Sequence, residues 1–122
     1  APPLARCADL MTSGAGAGAT EVEVEDAIAL VADGGYLLDV REQNEWDAGH
    51  APGAHLLPMS TIQERIAEVP DDRTVYVVCH SGARSERVTA YLRSLDLEAI
   101  NVAGGMMAWR AAGGEVVQSS AT

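Results

Sequence analysis

One cysteine of the chain stands between a strand-like segment and a helix-like segment. Cys79 closes the apolar run of residues 74–78 and is followed by His80-Ser81-Gly82-Ala83-Arg84-Ser85. A short loop that leads into a helix turns its backbone amides inward, and these amides together with the helix dipole bind anions. The same groups stabilise a thiolate, so the sequence predicts that Cys79 is a reactive, anion-facing nucleophile.

A simpler interpretation competes with this one, because a cysteine that ends an apolar strand is more often a small buried hydrophobic residue. The neighbours of Cys79 favour the reactive thiolate. Gly82 permits a tight turn, and Arg84 and Arg87 are three positions apart, so both can add positive charge to one side of the first helical turn. The joint occurrence of strand, cysteine, glycine-containing spacer, arginine and helix therefore indicates a functional site.

Strand-like and helix-like segments alternate around this loop and must position it. Short apolar or alternating runs predict five strands, at residues 21–24, 36–40, 54–57, 74–79 and 99–102. Helical spacing of apolar residues predicts the intervening helices, which cover residues 24–33, 42–48, 60–69, 84–95 and 104–109. The alternation predicts a mostly parallel sheet covered by helices on both faces, with a ligand-binding crevice at the carboxyl ends of its strands.

Two charged residues are expected at the same edge of the sheet as Cys79. Asp39 and Arg41 end the strand predicted at residues 36–40. Two roles stay open for them, direct contact with a substrate or a structural ion pair beside the loop. With Arg84 and Arg87, Arg41 is expected to make the crevice locally positive.

The charge balance of the whole chain excludes several classes of protein. The 122 residues include 8 Lys+Arg and 18 Asp+Glu, for a formal net charge of −10, and every basic residue is Arg. Without lysine the chain has no P-loop and no Schiff-base nucleophile. The acidic balance argues against binding to nucleic acid or to an anionic membrane surface. Residues 62–122 carry six Arg and eight acidic residues, against two and ten in residues 1–61, so the half with Cys79 tolerates an anion better.

The chain is expected to form one domain at residues 21–117, with an N-terminal tail at 1–20 and a C-terminal tail at 118–122. The first tail contains Gly14-x-Gly16-x-x-Ala19, a permissive form of a dinucleotide-binding fingerprint. The segment before it is a poor strand, so a flexible linker is the favoured interpretation.

The cysteine count predicts a reducing compartment. Two cysteines, Cys7 and Cys79, are too few for a disulfide scaffold, although a single bridge between them is conceivable. The sequence also lacks the basic start and apolar stretch of a signal peptide, and no run is long and apolar enough for a membrane span. We therefore expect a cytoplasmic protein with reduced thiols.

Three histidines suggest a metal site, but their spacing does not support one. His50, His55 and His80 have the right chemistry to join Cys79 around zinc, yet the chain has no Cys-x-x-Cys or His-x-x-x-His pair. No metal is expected. The two tryptophans, Trp46 and Trp109, are expected in the core.

Four segments of the chain form a recognisable set: Leu38-Asp39-Val40-Arg41-Glu42, Glu45-Trp46-Asp47-Ala48-Gly49-His50-Ala51-Pro52-Gly53-Ala54, Cys79-His80-Ser81-Gly82-Ala83-Arg84-Ser85 and Gly104-Gly105-Met106-Met107-Ala108-Trp109. These segments resemble the single-domain rhodanese family of thiosulfate sulfurtransferases. They occur in the order and spacing of the family and cover roughly residues 21–117. The resemblance implies a rhodanese-like α/β fold, with a five-stranded, mostly parallel sheet flanked by helices on both faces.

The resemblance also implies a reaction. The Cys79 thiolate would attack the outer sulfur of thiosulfate, displace sulfite and become a persulfide, with no metal or organic cofactor. The sulfur would then pass to cyanide or to a cellular thiol such as glutathione or thioredoxin. The substrate-binding residues implied are those of the loop, His80, Ser81, Gly82, Ala83, Arg84 and Ser85, together with Asp39 and Arg41, which help to shape and charge the site.

Two alternatives to this function stay open. A rhodanese-like carrier or binding module would receive its sulfur from a partner protein such as a desulfurase. A phosphatase or arsenate-reductase-like enzyme is the third hypothesis. It is disfavoured because the loop from Cys79 to Arg84 has six residues, one fewer than in the related phosphatases, and because no acid is placed to protonate a leaving group.

Overall fold

A computed structural model of the protein describes residues 20–118 and shows a five-stranded parallel sheet flanked by helices. The strands are β1 (Glu21–Val22), β2 (Tyr36–Asp39), β3 (His55–Leu56), β4 (Val75–Val78) and β5 (Ala99–Val102). The helices are α1 (Val24–Ala32), α2 (Gln43–Ala48), α3 (Ala83–Ser94) and α4 (Gly105–Ala111). The predictions for Cys7 and for the glycine-rich fingerprint fall outside the described residues. Within residues 20–118, no helix is long and apolar enough to cross a membrane.

The strands lie in the order β1-β5-β4-β2-β3, and every neighbouring pair is parallel. This arrangement confirms the predicted sheet and places β4 at its centre, between β5 and β2. The carboxyl end of β4 therefore opens onto the crevice where ligands bind in open α/β sheets. Cys79 follows directly after β4.

Alternation along β4 divides the core between the two faces of the sheet. Val75, Val77 and Cys79 face the cluster that contains Val88 and Leu92 of α3, whereas Val78 faces the other cluster. The second cluster is built on α1 and α4, and it includes Trp109. Because successive strand side chains point to opposite faces, an apolar strand covered by helices on both sides buries side chains on both of its faces.

The helix predicted over residues 60–69 is wrong in form, since the structure has two 3-10 turns there, Met59–Thr61 and Ile66–Glu68. Ser60, in the first of these turns, donates its hydroxyl to the Glu42 carboxylate. Arg65 has φ −112° and ψ 22°, which interrupts the helical geometry between the turns. Apolar side chains of this segment still reach the core, where Ile62 and Val69 are buried.

The end of α3 also differs from the prediction, which extended the helix to residue 95. Leu95 is 44% exposed, because α3 ends at Ser94 and the chain then turns through Asp96 at φ 68°. Leu97, beyond that turn, packs against the core cluster of α3.

Candidate active site

The loop after β4 carries Cys79 into the first turn of α3. The helix begins at Ala83, and its N-cap residue Gly82 has φ 109°, in the left-handed region that favours glycine. This turn directs the Gly82 amide back to the cysteine, so that its N–H donates to Cys79 Sγ over 3.1 Å. Cys79 is buried, with 1% of its surface exposed.

The hydrogen bonds around the sulfur favour its ionised form. Burial by itself raises the pKa of the Cys79 thiol, but the Ser85 hydroxyl and the backbone amides of Ser85, Gly82 and Ser81 lower it, and the net shift is downward. The first amides of an α-helix have no partner within the helix, so they are available to an anion. The loop thus stabilises a thiolate at the carboxyl edge of the sheet.

The first turn of α4 is hydrogen-bonded to the backbone of the first two residues of the loop, Cys79 and His80. At the start of α4, the Met106 amide donates to the carbonyl of Cys79 over 2.7 Å, and the Met107 amide donates to that of His80 over 3.0 Å. Gly105 has φ 61°, and a Cβ atom there would lie 2.5 Å from the Cys79 carbonyl oxygen. Gly105 therefore permits the close approach of α4 to the loop, a role that the sequence did not reveal.

Arg84 is held by a carboxylate from another element. Its two terminal nitrogens donate to the two carboxylate oxygens of Glu45 in α2, both over 2.8 Å. The Arg84 hydrogen bond is the main cause that lowers the pKa of Glu45 to about 2. The sequence interpretation missed Glu45 as part of the site, and much of the positive charge expected from Arg84 is neutralised by this partner.

Asp39 and Arg41 form the ion pair that was one of their two predicted roles. The Arg41 guanidinium donates to both carboxylate oxygens of Asp39, with Nη2 2.7 Å from Oδ2, and the same nitrogen donates to the carbonyl of Gly49 over 2.8 Å. Both side chains are almost completely buried. Removing one partner of such a pair costs about 3–5 kcal/mol, so the pair fixes the end of β2 whatever its contact with substrate.

Arg87 does not join these residues. Its side chain is exposed and lines a separate cavity of about 290 Å³ between α3 and the 3-10 turns, where Met59, Gln63 and Tyr91 also lie. The expectation that Arg87 converges on Cys79 is therefore wrong. Residues 84 and 87 sit one turn apart on α3, but Arg84 is drawn towards α2 by Glu45.

A cation that the sequence interpretation missed lies beside the loop. A cavity of about 360 Å³ adjoins the loop at His80, and it is lined by Arg41, Glu45, Ala48, His80, Met106, Met107 and Arg110. Within residues 20–118 the Arg110 guanidinium has no ion pair and no hydrogen bond. It rests against Gly49, where a Cβ atom would lie 2.5 Å from its Nη2. Arg110 follows Trp109 directly, at the end of the fourth recognised segment.

The three histidines have separate surroundings. His50 stacks on Trp46 with ring centroids 3.7 Å apart, His55 stacks on Tyr36 at 4.2 Å, and His80 is exposed at the loop. In the part of the chain that the structure describes, no three His, Cys, Asp or Glu side chains are grouped to hold a metal ion. Trp46 is only half-buried, contrary to prediction, whereas Trp109 lies in the core and donates to the Glu115 carbonyl.

Comparison with known proteins identifies the fold and its relatives. A family model described as the rhodanese-like domain matches residues 23–112. The thiosulfate sulfurtransferase GlpE of Pseudomonas entomophila is 31% identical over 102 residues, which cover 82% of this chain and 94% of that protein. The probable adenylyltransferase/sulfurtransferase MoeZ of Mycobacterium tuberculosis is 40% identical over 76 residues, which cover 60% of this chain but only 19% of MoeZ.

Solved structures agree with these matches. A rhodanese-like domain protein from Staphylococcus aureus superposes on the chain with a TM-score of 0.75 and 31% sequence identity, covering 83% of this chain and 99% of that one. The rhodanese-like fold predicted from the sequence is confirmed.

Proposed function

Because the chain belongs to the family of rhodanese-like domains, we propose that it is a sulfurtransferase that works through a persulfide on Cys79. The observation that carries the proposal is the Cys79 sulfur, buried at the carboxyl end of β4 and bound by loop amides that lower its pKa. A thiolate in this position is a ready nucleophile towards a sulfur atom. A free catalytic thiol also fits a reducing compartment such as the cytoplasm.

Sulfur transfer then takes two displacements. The Cys79 thiolate attacks the outer sulfur of thiosulfate, and the sulfur–sulfur bond of the donor breaks with its electron pair leaving on sulfite. The terminal sulfur of the resulting Cys79 persulfide carries the negative charge, and the amides of the loop stabilise it. Cyanide or a thiolate next attacks that terminal sulfur, and the electron pair of the persulfide bond returns to Cys79. Both steps balance without a metal or an organic cofactor.

The other residues of the site have supporting roles in this proposal. The backbone of residues 80–85 forms the anion site, and the Glu45–Arg84 pair fixes its far end against α2. The buried Asp39–Arg41 pair keeps the end of β2 in place beside it. Thiosulfate as donor is supported by the likeness to GlpE, a thiosulfate sulfurtransferase by name.

The first prediction concerns Cys79 itself. After incubation with thiosulfate, intact-protein mass spectrometry should show the mass of one added sulfur atom, located on Cys79. A Cys7→Ser variant provides a matched control because it removes the other cysteine of the chain, and it should load sulfur and form thiocyanate as the parent does. Cys79→Ser should do neither. Thiocyanate formation by Cys79→Ser at the parent rate would contradict the mechanism.

A sulfur-carrier module is the second candidate, and two observations favour it. The segment similar to this chain makes up only 19% of MoeZ, so it occurs there within a longer protein. In addition, Glu45 neutralises the loop arginine, which reduces the charge available to a free anion. Negligible turnover with thiosulfate, together with rapid persulfide formation from a cysteine desulfurase, would favour the carrier. Hydrolysis of an aryl phosphate by the parent but not by Cys79→Ser would instead indicate a phosphatase.

A further inference from the structure

Arg110 is a cation beside the loop, and no carboxylate in the described part of the chain neutralises it. It shares the cavity of about 360 Å³ with Arg41 and Glu45, but each of these is held in an ion pair, with Asp39 and Arg84 respectively. Arg110 is exposed. Its charge is therefore available to an anion that enters the cavity.

The attachment of α4 to the loop sets where this charge stands. The Met107 amide donates to the His80 carbonyl over 3.0 Å, and Arg110 follows three residues later, about one turn along the helix. Side chains of a helix lean towards its N-terminus, which here is the end that contacts the loop. The guanidinium passes Gly49, where a Cβ atom would lie 2.5 Å from Nη2. Arg110 and His80 thus line one cavity.

Apolar side chains line the same cavity. Met107 is 55% exposed although it is large and apolar, and Ala48 at the end of α2 is exposed as well. An exposed methionine gives an adaptable contact for a short hydrocarbon chain. The cavity therefore combines a cation with an apolar surface next to the loop of the reacting cysteine.

On the premise of the sulfurtransferase function above, we propose that Arg110 is a specificity-determining residue that binds a carboxylate of the sulfur acceptor. The planar guanidinium can donate two parallel hydrogen bonds to a carboxylate. The acceptor is then a small thiol that carries a carboxylate a few bonds from its sulfur, with the carbons between them against Met107.

The carboxylate takes no part in the covalent step. The acceptor thiolate attacks the terminal sulfur of the Cys79 persulfide, the sulfur–sulfur bond breaks, and its electron pair returns to Cys79. The acceptor leaves as a persulfide anion and Cys79 is again a thiolate, so charge and atoms balance without another reactant.

The acceptor fits this site better than the donor does. In thiosulfate the negative oxygens stand on the atom bonded to the sulfur that is attacked, so the amides of the loop meet them. A thiol with a hydrocarbon chain can instead carry its charge across the cavity to Arg110. The net charge of −10 repels every anionic acceptor at long range, and a local cation is needed to select one.

The test measures the discharge of the Cys79 persulfide at low salt, in a Cys7→Ser background. Cys79 is loaded with thiosulfate or with inorganic polysulfide, the excess is removed, and loss of the added sulfur is followed by intact-protein mass spectrometry. The acceptors compared are 3-mercaptopropionate and the neutral 2-mercaptoethanol. In Arg110→Gln the second-order rate constant with 3-mercaptopropionate should fall about fivefold, the upper end of what one exposed ion pair contributes. The rate constant with 2-mercaptoethanol should stay that of the parent.

Two further variants separate local charge from other effects. Arg87→Gln removes the same charge at a separate cavity, so it should change neither rate constant. Arg110→Glu reverses the local charge, so it should slow 3-mercaptopropionate further and speed the transfer to cysteamine, a thiol that carries an ammonium group. A purely structural role for Arg110 would not produce that gain.

Equal rate constants with 3-mercaptopropionate in the parent and in Arg110→Gln would overturn the proposal. An equal fall with both thiols would also overturn it, because it would indicate damage to the loop. If Arg110→Gln slowed only the loading of Cys79 by thiosulfate, Arg110 would serve the donor instead. A Cys79 that takes sulfur from neither donor would contradict the proposed function itself, whereas a loaded Cys79 that ignores the charge at position 110 would contradict this inference alone.

Discussion

At the scale of single residues, the site depends on how its charges are paired. Arg84 and Arg41 were expected to supply positive charge to the crevice, yet each is held by its own carboxylate, Glu45 and Asp39. The sequence could not show the first of these pairs, because Glu45 and Arg84 are 39 positions apart and only the packing of α2 against the loop joins them. The second pair spans two positions, and its partners could be named from the sequence. What remains to bind an anion is mainly the set of loop amides, with Arg110 nearby.

The Glu45–Arg84 pair makes the stability of the protein depend on pH. The pKa of Glu45 is lowered from 4.5 to about 2, so its contribution to stability is present above pH 4.5 and is lost as the pH falls towards 2. At pH 6 we expect Glu45→Gln to be less stable than the parent by about 1 kcal/mol, a value discounted for the partial exposure of the pair. Urea unfolding of both proteins between pH 7 and pH 2.5 should show this difference shrinking across that window.

Glu64→Gln is the control for this prediction, because Glu64 is exposed and has no ion pair among the described residues. It should follow the parent throughout the series. A stability difference between Glu45→Gln and the parent that stays constant down to pH 2.5 would show that Glu45 acts through packing rather than charge.

At the scale of elements, the sequence predicted the strands and the loop that depend on the local pattern of apolar residues. It missed the features that depend on how distant elements pack against one another. The five strands follow from short apolar or alternating runs. The loop after β4 follows from the change in the spacing of apolar residues, from the pattern of a strand to that of a helix. The helix predicted over 60–69 is not continuous, because the backbone of Arg65 leaves helical geometry between the two 3-10 turns, although apolar side chains of the segment still reach the core. The role of Gly105 is also a packing effect, since a Cβ atom there would meet the backbone of Cys79 and His80 where α4 contacts the loop.

Gly105→Ala should damage the loop as well as the fold. A left-handed φ strains any alanine, and here the new Cβ would also meet the Cys79 carbonyl oxygen at 2.5 Å. Gly113 is a matched control within the chain, because it has φ 86° but nothing within 4 Å of its Cβ position. We expect Gly113→Ala to cost about 1 kcal/mol of stability and to leave the thiol pKa and turnover unchanged.

Gly105→Ala should be less stable than Gly113→Ala in urea unfolding. It should also raise the pKa of the Cys79 thiol, because the carbonyl that anchors the loop to α4 is displaced and the amide bonds to sulfur weaken. Equal stability and equal thiol pKa in the two variants would mean that α4 does not hold the loop in its active geometry.

At the scale of the whole molecule, the net charge of −10 opposes the binding of a dianionic donor. A locally positive crevice was expected to compensate, but its arginines are largely neutralised by carboxylates, and Arg87 lies elsewhere. This balance could not be predicted from composition, because the pairing of charges is set by tertiary structure. The long-range field that an anionic donor such as thiosulfate would meet is therefore negative, and short-range amide contacts would have to supply the attraction.

Added salt should consequently speed the loading of Cys79 by thiosulfate. Screening shortens the Debye length from about 30 Å at 0.01 M to about 8 Å at 0.15 M salt, which removes repulsion from distant carboxylates but leaves contacts within the loop. We expect the second-order rate constant for persulfide formation to rise between these concentrations. Alkylation by iodoacetamide, a neutral reagent for the same thiolate, is the control and should change little. A fall in the thiosulfate rate with no change in alkylation would mean that the cations near the site, Arg110 above all, outweigh the field of the whole molecule.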